Sequence, residues 1–374
     1  MLQAPYLLRR RVIAPPRLVG VDNSPSSSKS TAYIRFGASR LYKARFSTLI
    51  VFDLALNQIG SITDATNLNS AVDVELSDNE TFAFVAAETG AAGACVSSYN
   101  VANPASISFV QRMQGPTPGT SLSGASSIKK DSAANLLFVP CITRNSVAIL
   151  SFNPLTGGMT WVAEYRGQVP GTSMRSCRRC ALDTVNRVCF WACDNNANGT
   201  MRMGAFSYAD PANPVELWSG APLEADGARG IYWNPERRLL FVVANGPSPF
   251  YGVLSAHEVL DTTSARFPRQ VGAYVAAGKS ANNFRETMGG CRSVAFKQVG
   301  SRHYALVTAE SGFNIVIIDV TDPTRMYRAG LRWDTALLNA PMDIQFGPDG
   351  YLYTGNFTNA GAQMITKWDV DLAT

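Results

Sequence analysis

The stretch NIVIIDVTDPTRMYRAG, residues 314–330, decides the fold. It begins with a run of β-branched apolar residues, passes through an Asp-Pro turn signal, and continues into a second run with strand character. A fold built from copies of one unit would repeat this strand-turn-strand pattern, so its recurrence along the chain is the first question.

An eight-residue pattern recurs seven times, with an apolar residue or cysteine at its fifth position. Its copies are PPRLVGVD (15–22), SAVDVELS (70–77), GASSIKKD (124–131), SCRRCALD (176–183), GARGIYWN (227–234), GCRSVAFK (290–297) and APMDIQFG (340–347). The fifth positions are Val19, Val74, Ile128, Cys180, Ile231, Val294 and Ile344, separated by 55, 54, 52, 51, 63 and 50 residues. The chain is therefore predicted to contain seven units.

The stretch quoted first belongs to a second series, in which a strand ends in a polar residue before a turn. The marker residues of this series are Asp53, Asn100, Asn153, Asp210, Glu258, Asp319 and Asp369. The two series agree in number and period, which strengthens the prediction of seven units.

Each unit is predicted to hold four short strands separated by turn residues. In the sixth unit these are 291–296, 303–309, 314–319 and 326–331. Four strands in a repeat of this length are typical of a β-propeller blade. The sequence predicts an all-β, seven-bladed propeller as a single domain over 1–374, with first strands starting near 15, 70, 124, 176, 227, 290 and 340.

The seventh unit has no fourth strand of its own, whereas YLLRRRVIA (residues 6–14) lies ahead of the first unit. An unpaired strand edge promotes aggregation. We therefore expect the N-terminal segment to join the last blade, with Leu7–Ile13 pairing with the strand around Met364–Val370.

Two phrases resemble known propellers. VIIDVTDPT (316–324) is similar to the repeat of the LVIVD family, and FGPDGYLYTGN (346–356) is similar to a turn of lactonase-like propellers. The resemblance implies the fold, but no catalytic set of either family is evident in the residues. The chain does not resemble a WD-type propeller, because KWDVD occurs once without its matching Gly-His pair.

Four cysteines, Cys177, Cys180, Cys189 and Cys193, have a spacing like that of a zinc ribbon. On two strands, positions 177 and 180 differ by an odd number and would face opposite sides of the sheet. We therefore predict four core cysteines and no metal, with a metal or redox site as the alternative.

Catalytic residues are not predicted. The two histidines, His257 and His303, fall in strands of different blades, and a G-x-S-x-G elbow is absent from the sequence. No cofactor is expected.

Arginine recurs at the third position of the eight-residue pattern, as Arg17, Arg178, Arg229 and Arg292. First strands line the channel of a propeller, so these side chains are expected at one channel mouth, where guanidinium groups would bind carboxylates, phosphates or an acidic partner. Asp73 and Asp343, at the fourth position, could be counter-charges or cation ligands. In the alternative, each arginine bonds carbonyl groups between blades.

Composition limits the function classes. Charged residues make up 16% of the chain and the net charge is +5, which does not favour direct nucleic-acid binding. No apolar run is long enough for a membrane span, and the N-terminus lacks the apolar stretch of a signal peptide.

The sequence favours a non-enzymatic structural propeller, specifically a bacteriophage virion component such as a tail, nozzle or fibre-attachment protein. Its expected partners are other structural proteins of the same particle, in a homo- or hetero-oligomeric assembly. Its expected location is the virion, otherwise the cytoplasm. The alternatives are a lactonase-like hydrolase acting on an anionic small molecule at the channel mouth, or an LVIVD-type bacterial surface protein.

Overall fold

The computed structural model describes residues 13–22, 33–88, 93–118, 120–167, 174, 176–194, 202–220, 227–245, 252–276, 288–356 and 365–372. Within these ranges the chain forms β-strands and one short 3-10 turn, Pro104–Ser106. No helix in the described ranges is long and apolar enough to cross a membrane.

The strands group into seven blades. The first strands are β2 (Tyr33–Phe36), β6 (Ala71–Leu76), β10 (Lys129–Asp131), β14 (Cys177–Asp183), β18 (Gly227–Asn234), β22 (Cys291–Val299) and β26 (Pro341–Phe346). The second strands are β3 (Arg40–Arg45), β7 (Phe82–Ala87), β11 (Leu136–Cys141), β15 (Val188–Cys193), β19 (Leu239–Asn245), β23 (Arg302–Ala309) and β27 (Leu352–Asn356). The third strands are β4 (Thr48–Asp53), β8 (Cys95–Asn100), β12 (Ser146–Phe152), β16 (Arg202–Ser207), β20 (Gly252–Glu258), β24 (Asn314–Asp319) and β28 (Ile365–Asp369). The fourth strands are β5 (Gln58–Thr63), β9 (Ser108–Met113), β13 (Met159–Tyr165), β17 (Val215–Gly220), β21 (Arg269–Ala276), β25 (Tyr327–Trp333) and β1 (Arg17–Val21).

Every blade is a four-stranded antiparallel sheet, and six of them follow chain order. The seventh has the order β1-β28-β27-β26, so the N-terminal strand supplies its outer edge. First strands of successive blades pack side by side at β2 and β6 and from β10 through β26, and β26 contacts β2 to close the ring. The predicted seven-bladed β-propeller is confirmed.

The eight-residue pattern has a backbone cause. Its first residue adopts a positive φ in five blades, at Ser70, Gly124, Ser176, Gly290 and Ala340. A left-handed conformation favours small or short polar residues. Two residues later the register with the second strand shifts, which marks a β-bulge at or beside the third position of the pattern. Bulges re-aim side chains, and here they release the third residue from the ordinary in-out alternation.

Apolar side chains fill the spaces between neighbouring blades. Between the third and fourth blades, Phe138 packs on Tyr208 with ring centroids 4.6 Å apart, beside the fully buried Trp191. The Tyr208 hydroxyl donates to Asp131 Oδ2 at 2.9 Å. These buried rings stabilise the interface between the two blades, and the hydroxyl of Tyr208 joins them by its hydrogen bond.

The closing strand is shifted in sequence from the one expected. Arg17–Val21 pairs with Ile365–Asp369, and the Ile13 N–H donates instead to the Ala329 carbonyl of the sixth blade at 2.7 Å. Closure by the N-terminal segment is confirmed, but the assignment of Ile13 to that pairing is wrong. Residues 6–12 lie outside the described residues.

The prediction for the first copy of the eight-residue pattern is also wrong, because this copy contains the closing strand. PPRLVGVD contains the outer strand of the seventh blade, so the first blade does not start near residue 15. Its inner strand is Tyr33–Phe36, in which Ile34 takes the place of the pattern's fifth residue. Arg17 therefore lies away from the channel: its side chain is 79% exposed and pairs with Asp369 at 2.8 Å.

The four cysteines lie in one buried cluster between the third and fourth blades. The expectation that Cys177 and Cys180 face opposite sides was wrong, because the bulge between Cys177 and Arg179 restores the parity. Cys177 is directly opposite Cys193 in the register. Within the described chain, no group of three or more His, Cys, Asp or Glu side chains is arranged to hold a metal ion.

Candidate anion-binding site

Three of the four predicted arginines meet at one channel mouth, where they alternate with two carboxylates. Asp194 Oδ2 accepts from Arg178 Nε at 2.8 Å and from Arg229 Nε at 3.0 Å. Glu310 Oε2 lies 3.6 Å from Arg229 Nη1 and accepts from Arg292 Nε at 2.6 Å. We call this set the arginine row; its three cations and two anions sum to one positive charge.

The arginine row is partly shielded from water. The Arg178, Arg229 and Arg292 side chains are 29%, 14% and 15% exposed. Burial lowers the pKa of Arg229; repulsion from Arg292 and Arg178 lowers it too, while Asp194 and Glu310 oppose the shift. The three guanidinium groups are therefore close enough to repel one another, and the shared carboxylates hold them together.

Arg178 has the greatest remaining capacity to bind. Its Nε atom is used by Asp194, but neither Nη atom forms a hydrogen bond with any residue that the structure describes. A guanidinium group presents donors in a planar fork that matches two oxygens of a carboxylate or phosphate. The row thus leaves one open fork at the channel mouth.

Sequence reasoning missed Asp194 and Glu310, although the hairpin register contains a signal for both. Each follows the second strand of its blade and faces the pattern's first residue: the Asp194 N–H donates to the Ser176 carbonyl and the Glu310 N–H to the Gly290 carbonyl. An acid at that position of the hairpin lies beside the bulged arginine of its own blade or the next one.

A cavity of about 220 Å³ opens beside the arginine row. We call it the mouth cavity; its lining residues include Tyr33, Val72, Glu88, Ser126, Arg178, Arg292 and Glu310. Glu88 is half-buried, and its carboxylate forms no hydrogen bond or ion pair within the described ranges. The volume is below the usual range for drug-sized ligands, so this cavity suits a single oxyanion group.

Asp73 and Asp343 do not pair with the arginine row. Asp73 Oδ2 accepts from Ser127 Oγ at 2.9 Å and from the Ile128 N–H at 3.1 Å. Asp343 Oδ2 accepts from the Ile34 N–H at 3.2 Å. Each carboxylate therefore forms hydrogen bonds with the next blade. We call these two residues the aspartate latches. The expectation that they balance Arg178, Arg229 and Arg292 was wrong.

A different arginine, Arg179, lies beside the latch Asp343. Its Nη2 lies 3.8 Å from Asp343 Oδ1, and its guanidinium carbon lies 4.3 Å from the centroid of the Tyr33 ring. Burial acts to lower the pKa of Arg179, but Tyr33, Asp343 and Asp73 raise it by more, so the side chain stays protonated. Tyr33 lines the mouth cavity and Arg179 lines a second cavity, and we call this stacked pair, with one residue in the wall of each, the partition.

The histidines do not contribute to the channel. His257 is buried in β20, where burial lowers its pKa to about 4 and Nε2 lies 2.9 Å from Ser255 Oγ. His303 is in β23 of the next blade and lines a different cavity. A catalytic pair of histidines is therefore not formed.

Comparison with known proteins identifies the fold. Hydrazine synthase of Kuenenia stuttgartiensis superposes with a TM-score of 0.67 at 13% identity, covering 93% of this chain and 98% of that chain. A periplasmic gluconolactonase of Pseudomonas aeruginosa gives a TM-score of 0.62 at 13% identity, over 94% and 98%. A candidate 6-phosphogluconolactonase of Bacteroides uniformis gives 0.62 at 13%, over 95% and 94%.

No protein-family model matches the sequence, and no curated protein matches it either. The chain is thus a propeller similar to lactonase-like propellers in fold. At this level of identity the similarity describes architecture alone.

Proposed function

We propose that this protein is a non-enzymatic binding propeller that captures a carboxylate or phosphate group at the arginine row. The single observation that supports this most is the guanidinium group of Arg178, whose Nη atoms have no hydrogen-bond partner among the described residues. The small mouth cavity beside the row fits one oxyanion group of a larger molecule.

Titration calorimetry with inorganic phosphate and with citrate tests the proposal. Arg178→Met should weaken binding by about tenfold or more, because a hydrogen bond to a charged group contributes about 1.5–3 kcal/mol. Arg17→Met is the matched control: it removes an arginine of the same sequence pattern that lies on the outer edge of the seventh blade. Equal affinities of both variants, or no binding to the wild type, would contradict the proposal.

A second candidate is lactone hydrolysis at the same mouth. It is favoured by Glu88, whose carboxylate lines the mouth cavity without a hydrogen bond or ion pair in the described ranges, as a general base would. The fold similarity to two lactonase-type propellers agrees with it. Hydrolysis of glucono-lactone that is lost in Glu88→Gln would support this candidate, while wild-type rates equal to the uncatalysed rate would remove it.

The virion role remains a prediction from composition. The names of the similar structures reported above do not refer to a virion, so they add no support. An acidic segment of a neighbouring particle protein would present the same carboxylate chemistry to the arginine row. Loss of attachment in Arg178→Met, with retention in Arg17→Met, is the result expected of that role.

A further inference from the structure

The channel continues beyond the partition of Tyr33 and Arg179 into a second cavity of about 440 Å³. We call it the chamber. It is lined by the inner strands of the last four blades together with Arg35 and Lys129, and it extends to residues at the far ends of those strands. This volume lies within the range of small-molecule sites. The arginine row does not line it.

The chamber ends at an incompletely bonded guanidinium group. Arg179 is 9% exposed, and its buried Nη2 forms no hydrogen bond; the Asp343 oxygen at 3.8 Å is too distant. That oxygen, Asp343 Oδ1, already accepts from Ser293 Oγ at 2.8 Å. Buried polar groups are normally hydrogen-bonded, so Arg179 has donor capacity that the latch does not satisfy.

A second cation that lines the chamber, Lys129, has no partner among the described residues. Lys129 is half-buried, lines the chamber, and forms no ion pair or hydrogen bond through its side chain within the described ranges. Arg35, by contrast, is neutralised by Glu75 at 2.6 Å. Lys129 and Arg179 therefore offer hydrogen-bond donors to a ligand in the chamber, and a ligand with a few acceptor oxygens would satisfy them.

One wall of the chamber is flat and apolar. Tyr232 stacks on Phe296 with ring centroids 4.3 Å apart and an interplanar angle of 20°. Tyr232 is 36% exposed, and both rings line the chamber as well as the neighbouring cavity that contains His303. Trp233 and Phe346 also line the cavity. A wholly polar ion would leave this wall unused.

We infer that the chamber is a second ligand site, which binds a small organic monocarboxylate with a flat apolar body. The carboxylate would meet Lys129 and the unfilled Nη2 donor of Arg179, and the body would lie against Tyr232 and Phe296. A monoanion suits the site better than a dianion, because Asp73 and Asp343 already place two negative charges near Arg179. This site is independent of the arginine row.

Calorimetry with 2-naphthoate tests the inference, and the neutral 2-naphthamide is the matched probe. The wild type should bind naphthoate at least tenfold more tightly than naphthamide. Lys129→Met should remove most of that preference, and Tyr232→Ala should weaken both probes. Lys130→Met is the control: Lys130 is the next residue of the strand, but it pairs with Asp78 at 2.5 Å.

The outcomes separate this site from the first. Arg178→Met should bind naphthoate like the wild type, since Arg178 lies beyond the partition. No detectable naphthoate binding, equal binding of the two probes, or an unchanged affinity in Lys129→Met would each overturn the inference. Displacement of naphthoate by inorganic phosphate at comparable concentration would also overturn it, because the apolar wall would then be irrelevant.

Discussion

The two sides of the channel use charge differently at neighbouring positions of one sequence pattern. Around the first blade, Asp73 and Asp343 bind hydroxyl and backbone N–H donors of adjoining blades. Across the channel, the arginine row shares two carboxylates among three guanidinium groups. The aspartate latches use their acceptors to join blades, whereas the arginine row retains an unused fork. One side of the channel therefore joins neighbouring blades, and the other side has donors left to bind an anion.

The largest expected effect is on the latch that joins the last blade to the first. Asp343→Ala should lower the free energy of unfolding by about 3–5 kcal/mol, because it removes a buried carboxylate and leaves Arg179, Ser293 and the Ile34 N–H without it. Asp73→Ala should cost less, about 2 kcal/mol, since it serves fewer partners. Urea unfolding measures both. A loss for Asp343→Ala no larger than that of Arg17→Met would refute the latch.

The seam between the first and last blades should also respond to pH. Lys43 is fully buried, 3.7 Å from Asp22 Oδ2. Burial lowers its pKa to about 7, with Arg45 adding to the shift and Asp22 opposing it. The native state then releases this proton near pH 7, while the unfolded chain keeps it to about pH 10.5. Native stability should therefore rise with pH from 7 upward, by up to about 1.4 kcal/mol per unit.

The double variant Lys43→Met/Asp22→Asn isolates this contribution without leaving one charge buried alone. Its free energy of unfolding between pH 7 and 8.5 should rise less steeply than that of the wild type. Parallel slopes for the two proteins would show that Lys43 does not titrate in this window.

Removal of one arginine from the row should disturb the fold little. Arg229→Met leaves Asp194 paired with Arg178 and Glu310 paired with Arg292, and it relieves repulsion among the three cations. We expect a loss of about 1 kcal/mol or less, which denaturant unfolding can measure. A loss as large as that of Asp343→Ala would mean that the arginine row, like the latches, holds the ring together.

The smallest expected effect concerns the four cysteines of the fourth blade. Burial raises the pKa of Cys177 and Cys189, so their thiols should react slowly in the native protein. We expect a metal chelator to leave the thermal midpoint unchanged and metal analysis to find no stoichiometric zinc. A lowered midpoint with released zinc would show that the shared face of these cysteines is a metal site.

The blade count and strand pattern could be predicted because turns and apolar alternation are local. The strand Asn314–Asp319 has the predicted bounds. The closing strand could not be assigned, because PPRLVGVD has the apolar spacing of an inner strand while its partner, Ile365–Asp369, is distant in sequence. Only the pairing distinguishes the two roles.

The site could be predicted in part. The third-position arginines of three blades do converge, since each lies at the equivalent bulge in the first strand of its own blade. Parity arguments failed at Cys180 because a bulge inserts a residue without a clear sequence signature. The carboxylates of Asp194 and Glu310 were missed because they directly follow second strands, which the pattern did not cover.

A selenate soak of the crystalline protein would test the central claim most directly, because anomalous scattering locates the oxyanion itself. The account predicts a selenium peak at the channel mouth, with selenate oxygens about 3 Å from the Nη atoms of Arg178. The same experiment on Arg178→Met should lose that peak. A map with selenate at exposed arginines such as Arg17 and none at the arginine row would contradict the account.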